Sequence, residues 1–360
     1  MSALTERLRA LIANNGPISV SDYMALCLLD PEHGYYTTRE PFGQTGDFTT
    51  APETSQMFGE LIGAWVLATW QALGAPLSVT LAEIGPGRGT LMKDMLRTLR
   101  QLQPGFVEQA KIALVETSPR LRDIQRETLV SFNLSITWYD DVGQLPDQPL
   151  ILIGNELFDA VPIRQYARIG GEWRERLVAL NEREQLAFVA GPGTLDATLL
   201  PKDAGQAPEG AIVELAPARS AIMAAIAAHL AAHGGAGLFL DYGYFRPAVG
   251  DTLQALRKHA FADVLAEPGE ADLTAHVDFA ALAAVARSAG LDAHLSTQGD
   301  FLLALGLLQR AGQLGASLDE AGQQAIRDAV ERLAGPDQMG ALFKVLAVTP
   351  RGLAPAGFER

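Results

Sequence analysis

At 360 residues, 48% of them hydrophobic, the chain is long enough for one large domain with additions or for two domains. Its 28 lysines and arginines against 42 aspartates and glutamates leave a net charge of −14, which argues against generic nucleic-acid binding and suits a soluble protein or a cationic ligand. A single cysteine, Cys27, excludes an internal disulfide framework and a cysteine-rich zinc site, and no apolar run reaches the roughly 20 residues needed to insert across a membrane.

The first residues, Met1 to Glu6, lack the basic and apolar regions of a signal peptide; with the lone cysteine this predicts a cytoplasmic protein. Leu4, Leu8, Leu11 and Ile12 follow helical spacing, and Asn15-Gly16-Pro17 ends that helix. A second helix is expected from Ser19 to Leu29, started by Ser19 with Asp22 and stopped by Asp30-Pro31. Pro31 to Thr50 carries no periodic pattern but mixes aromatic and glycine residues, in His33-Gly34-Tyr35-Tyr36 and Gly46-Asp47-Phe48. Such a stretch suits either a lid over a flat ligand or an anchored surface loop. A third helix is expected to open at a capping box, Thr50 with Glu53, and to carry Phe58, Leu61, Ile62, Trp65 and Trp70 up to Gly74. Residues 1–75 thus read as a helical cap with a lid loop.

From Ser78 strands and helices alternate. Val79-Thr80-Leu81-Ala82-Glu83 is an apolar run ending in an acid, and Ile84-Gly85-Pro86-Gly87-Arg88-Gly89-Thr90-Leu91 turns it at once into a helix. Gly85, Gly87 and Gly89 lack a Cβ, so the backbone there can take positive φ and admit a ligand close to the strand end. A dinucleotide loop spaces its glycines as Gly-x-Gly-x-x-Gly and seats a pyrophosphate. Here the spacing is Gly-x-Gly-x-Gly, and Glu83 would repel a pyrophosphate but suit a cationic cofactor. The stretch resembles motif I of class I S-adenosylmethionine-dependent methyltransferases, whose cofactor carries an ammonium and a sulfonium. That makes Glu83, Gly85, Pro86, Gly87 and Gly89 cofactor candidates.

The second strand, Lys111 to Glu116, also ends in an acid. Glu116 can accept from both vicinal hydroxyls of a ribose, or be a solvated strand-end acid. After a short strand from Ile136 to Tyr139, Asp140 and Asp141 can reach an adenine amino group or simply form a polar turn. Leu150-Ile151-Leu152-Ile153-Gly154 is apolar throughout, as in a strand buried on both faces at the centre of a parallel sheet. Asn155, Glu156 and Asp159 follow, beyond the carboxyl end where such sheets bind ligands. Carboxylates there can hold a guanidinium by charge-assisted hydrogen bonds and assist its eventual proton loss. The plainer alternative is a turn in which Asp159 caps a helix.

Beyond Pro162 the alternation pauses. Gln165 to Ile169 and Arg174 to Leu180 flank Gly170-Gly171 as a hairpin, Gln185 to Val189 reads as a third strand, and residues 191–210 as an exposed loop, so that 163–210 forms one insertion. The sheet resumes with a helix near Arg219 to His233 and a strand from Gly237 to Gly243, where Asp241 and Tyr242 are second-tier site candidates. Residues 244–277 form a second insertion. Its His276 can orient or deprotonate a substrate, although a lone histidine is more often structural. Asp278 opens a helix through Ala289, Leu291 to Thr297 is a strand, two further helices follow, and Leu342 to Thr349 is the last strand. No metal constellation is visible.

Five motifs in order carry a specific resemblance: His33-Gly34-Tyr35-Tyr36, Gly46 through Glu53, Glu83 through Gly89, Asn155-Glu156-Leu157-Phe158-Asp159-Ala160-Val161-Pro162, and Thr274-Ala275-His276-Val277-Asp278-Phe279. Together they resemble the MidA-like family of class I methyltransferases, over about residues 5 to 349. The resemblance implies an α/β fold, a Rossmann-like seven-stranded sheet spanning residues 76–360 with the two insertions, and S-adenosyl-L-methionine as cofactor. It further implies that Gly46, Asp47, Phe48, Thr50, Pro52 and Glu53 border the cofactor. The implied partner is a protein substrate methylated on arginine, a complex I core subunit being the candidate, with no nucleic acid and with a homodimer as an open option. A small-molecule methyltransferase and a cofactor-binding assembly chaperone without turnover stay open as alternatives, while Glu83 and the glycine spacing disfavour a nicotinamide oxidoreductase.

Overall fold

The computed structural model describes residues 2–38, 50–257 and 260–358. Apolar runs that need cover on both faces account for the larger of the two compact units into which the chain divides: Thr49–Leu157, Ile222–Phe245 and Val277–Arg360. Its sheet contains β1 (Thr80–Ile84), β2 (Lys111–Val115), β3 (Ile136–Tyr139), β4 (Leu150–Asn155), β5 (Gly235–Tyr244), β6 (Asp292–Thr297) and β7 (Phe343–Thr349). The strands lie in the order β6-β7-β5-β4-β1-β2-β3. β1 to β5 run parallel to one another, and β7 runs antiparallel to both β5 and β6. β1 and β4 are buried along their whole length. Between them the strand order reverses direction, which opens a crevice at their carboxyl ends.

The helix Gln56–Ala72 buries Phe58, Ile62 and Trp65 in one cluster with Met92, Met95 and Leu96 of the helix Thr90–Leu102. It counts with the sheet, where the sequence reading groups it with the cap. Its start also differs from expectation. Thr50 precedes only a short helix, Ala51–Thr54, and makes no side-chain capping bond. Ser55 breaks the chain there and caps the long helix, its hydroxyl accepting from Met57 N–H at 3.2 Å.

The second unit comprises Met1–Phe48, Phe158–Ala221 and Arg246–His276. It pairs the two-residue strand Ile18–Ser19 with Glu172–Leu180, in a sheet completed by Arg164–Ile169, Leu186–Thr194 and Ile212–Leu215. A three-stranded sheet is made by Gln254–Arg257, Ala260–Ala262 and Asp272–Thr274. Leu4, Leu8, Ile12, Tyr23 and Met24 from the helices Ala3–Asn15 and Val20–Leu29 share one buried cluster with Ile163, Val178, Ala255 and Leu273. The N-terminal helices and both excursions therefore build one core, where local patterning presents them as a cap and two insertions. Among the described residues no helix is long and apolar enough to cross a membrane.

Candidate functional site at the carboxyl ends of β1, β2 and β4

The loop after β1 needs its glycines. Gly85, Gly87 and Gly89 have φ of +66°, +51° and +80°, a region that costs other residues a Cβ clash. The turn is held by Gly85 N–H donating to the Val115 carbonyl at 3.0 Å and Gly89 N–H to that of Pro86 at 2.7 Å. Glu83, at the end of β1, is buried and accepts from Met92 N–H in the first turn of the helix behind the loop. Among the described residues its Oε2 is buried without a hydrogen-bond partner, and desolvation raises the carboxyl to about 8.

Glu116 follows β2. Its Oε1 accepts from Ser118 N–H at 2.8 Å and its Oε2 from Gln125 Nε2 at 3.2 Å. Burial raises its carboxyl above the ordinary range against the pull of these hydrogen bonds. Ser118 caps the helix Pro119–Leu129, from which Arg122 donates to the Glu116 carbonyl at 2.7 Å and to Asp140 Oδ1 at 2.6 Å. Asp140 is thus ion-paired, with its side chain 67% exposed, while Asp141 caps Gly143 N–H at 2.7 Å.

At the end of β4, Asn155 Nδ2 donates to Glu156 Oε1 at 3.0 Å, and Ala51 N–H reaches the same oxygen at 3.1 Å. Glu156 sits at φ +50°, unusual for a residue with a side chain, and its N–H donates to the Leu240 carbonyl at 2.8 Å. Asn155 is 8% exposed, and its Oδ1 is buried without a hydrogen-bond partner among the described residues. The register aligns Glu83 with Ile153, so Glu83 and Asn155 project from the same face of neighbouring strands. Thr50 and Pro52 are buried, and Glu53 lies 3.9 Å from Arg88 of the glycine loop. Gly46, Asp47 and Phe48 fall outside the described residues.

Asp159 and His276 belong to the smaller unit, where Arg219 gathers their backbones. The buried Arg219 guanidinium donates to the carbonyls of Asp159 at 3.1 Å, Val161 at 3.1 Å, Ala275 at 3.1 Å and His276 at 2.7 Å. His276 N–H in turn donates to Thr252 Oγ1 at 2.9 Å. Asp159 caps no helix, the chain turning there without one. Asp241, a second-tier candidate, is fully buried and accepts from Tyr242 N–H at 3.0 Å. Sequence reasoning missed the roles of Arg219, which it names only as the start of a helix, and of Gln125; no local signal marks either.

A sheet in this order with an antiparallel β7, a three-glycine turn after β1 and an acid after β2 defines a class I S-adenosylmethionine-dependent methyltransferase. Residues 61–297 match the profile of a family of S-adenosyl-L-methionine-dependent methyltransferases, and the chain belongs to that family. The Xenopus laevis protein named "Protein arginine methyltransferase NDUFAF7, mitochondrial" is 35% identical over 375 residues, covering 97% of this chain and 85% of its own. The Homo sapiens protein of the same name is 32% identical over 366 residues, 94% of this chain and 81% of its own. A crystal structure from Burkholderia thailandensis bound to S-adenosyl-homocysteine superposes with a TM-score of 0.86 at 32% identity, covering 99% of this chain and 95% of the other.

The names of these relatives point to the mitochondrion and overturn the expectation of a cytoplasmic protein. That expectation rested on the lack of a secretory signal pattern at Met1 to Glu6 and on the lone cysteine, which speak against secretion and an oxidising compartment and do not separate the cytoplasm from the mitochondrion.

Proposed function

We propose that this methyltransferase acts on an arginine side chain of a protein, with an arginine of a complex I core subunit as the candidate acceptor. The observation that carries the reading is the near full-length identity to relatives named protein arginine methyltransferases. The site fits the cofactor on its own terms. Two buried acceptors without partners among the described residues, Glu83 Oε2 and Asn155 Oδ1, project from one face beside the glycine loop, where an ammonium group would satisfy both. S-adenosylmethionine, when bound, supplies a methyl group activated by its sulfonium.

The protein's own groups then bind and orient. Glu116 accepts from the ribose hydroxyls, and Gly85, Pro86, Gly87 and Gly89 leave room for the amino-acid part, with Thr50, Pro52 and Glu53 at its border. Glu156, fixed by Asn155 and Ala51, holds the guanidinium by charge-assisted hydrogen bonds and aims a nitrogen in line with the methyl group. Asp159 and His276 are assigned to the acceptor and its proton, and Asp140 to the adenine edge.

Incubation of the purified protein with methyl-labelled S-adenosylmethionine and the complex I subunit homologue tests this. Label is expected on arginine and lost in Glu156→Ala. Label on another residue type, or an arginine equally modified in cells after the gene is deleted, would remove the proposal.

A further inference from the structure

The turn after β1, the acid after β2 and the strand β3 meet on one buried amide. Gln125, on the helix Pro119–Leu129, is fully buried. Its Nε2 donates to the Gly87 carbonyl at 2.8 Å and to Glu116 Oε2 at 3.2 Å, while its Oε1 accepts from the Trp138 indole at 2.8 Å. Chemistry dictates that orientation. Acceptors face one end of the amide and a donor-only indole faces the other, so a flipped amide would set its carbonyl against a carbonyl and a carboxylate. Gln125 Cγ also lies 3.6 Å from where a Cβ on Gly89 would stand. One side chain thus ties the turn after β1 to the acid after β2 and is itself oriented by the strand β3.

We infer that Gln125 is a positioning residue for cofactor recognition, holding the Glu116 carboxylate and the Gly87 turn in the arrangement that reads a vicinal diol. The inference rests on the ribose role proposed for Glu116. Backbone N–H groups of Ser118 and Thr117 also bond this carboxylate, but Gln125 Nε2 is the donor that joins its Oε2 to the Gly87 turn, so losing that amide uncouples the oxygen from the turn. A side chain of similar size with no amide would also leave the Gly87 carbonyl and the Trp138 indole without this partner, loosening the turn itself.

The test is calorimetric titration of S-adenosylhomocysteine and of its 2′-deoxy analogue into the full-length protein and into Gln125→Met, Trp138→Phe and Glu116→Gln. Wild type is expected to prefer the hydroxylated ligand by about tenfold. Gln125→Met is expected to bind S-adenosylhomocysteine about tenfold more weakly and to prefer it by less than about threefold, a selective loss that a packing defect would not produce. Trp138→Phe, which keeps Gln125 but removes the group that orients it, is expected to fall between, and it decides the matter if Gln125→Met does not fold. A folded variant that keeps the full wild-type preference overturns the inference. If wild type and Glu116→Gln are both indifferent to the hydroxyl, the ribose assignment itself fails and the inference falls with it.

Discussion

At Glu83, burial opposes the charge that the proposed ligand requires. Desolvation lifts the carboxyl to about 8, so at neutral pH the ligand-free side chain is mostly protonated, and an ammonium beside it restores the carboxylate. Cofactor binding at pH 7 is therefore expected to release about one proton, and the release to vanish above about pH 9 and in Glu83→Gln. Calorimetry in buffers of different ionisation enthalpy reads this directly. The folded chain holds this proton more tightly than the unfolded chain, so ligand-free stability falls as pH rises from the ordinary carboxyl range to about 8. Glu83→Gln should flatten that slope in thermal melts. Glu116→Ala is expected to weaken S-adenosylmethionine binding by roughly 1–3 kcal/mol, since a ribose donor would lose its acceptor; unchanged affinity would unseat the residue. The placement of Glu83, Glu116 and Asn155 at strand ends was legible because an apolar run closed by an acid or amide is a local pattern. Gln125 and Arg219 were not legible. Their partners are carbonyls, a carboxylate and an indole brought together through space, and spacing along the chain carries no trace of them.

Caps and turns decide at the scale of elements. The box formed by Thr50 and Glu53 marks a helix start in sequence, yet Ser55 makes the capping bond of the helix Gln56–Ala72. Ser55→Ala is expected to cost about 1 kcal/mol in chemical denaturation, and Thr50→Ala to leave the long helix untouched. A similar cost from both would mean that the break at Ser55 is absent in solution. At the start of β5, Gly235 has φ +118°, and a Cβ there would stand 1.9 Å from the Leu150 carbonyl oxygen. Gly235→Ala should destabilise the protein by more than about 2 kcal/mol, because strand pairing with β4 and the added carbon compete for one place. The hairpin around Gly170-Gly171 was readable from its turn residues, and its two strands pair as expected. The strand Ile212–Leu215, which pairs with Arg164–Ile169, escaped because its short apolar run follows a segment rich in glycine and proline.

For the whole molecule, the smaller unit is assembled from three separate stretches of chain. Removing residues 1–48 would delete Leu4, Leu8, Ile12, Tyr23 and Met24 from the cluster that buries Ile163, Val178 and Leu273. The shortened chain is expected to aggregate on size-exclusion chromatography, since exposing an apolar face of that extent favours self-association. A monodisperse peak with retained cofactor binding would show that the remaining stretches close a core without the N-terminal helices.

Alternating apolar runs and a glycine turn ahead of a helix determined the parallel sheet, the methyltransferase class and the strand ends that carry the acids, because each of these signals spans only a few neighbouring residues. Which of those acids is protonated, which amide steadies Glu116, and which distant segments share a core were decided by the tertiary structure. Desolvation and hydrogen-bond partnership depend on neighbours in space, which lie nine residues apart for Gln125 and Glu116 and hundreds apart for Leu4 and Leu273, at spacings that no sequence pattern marks.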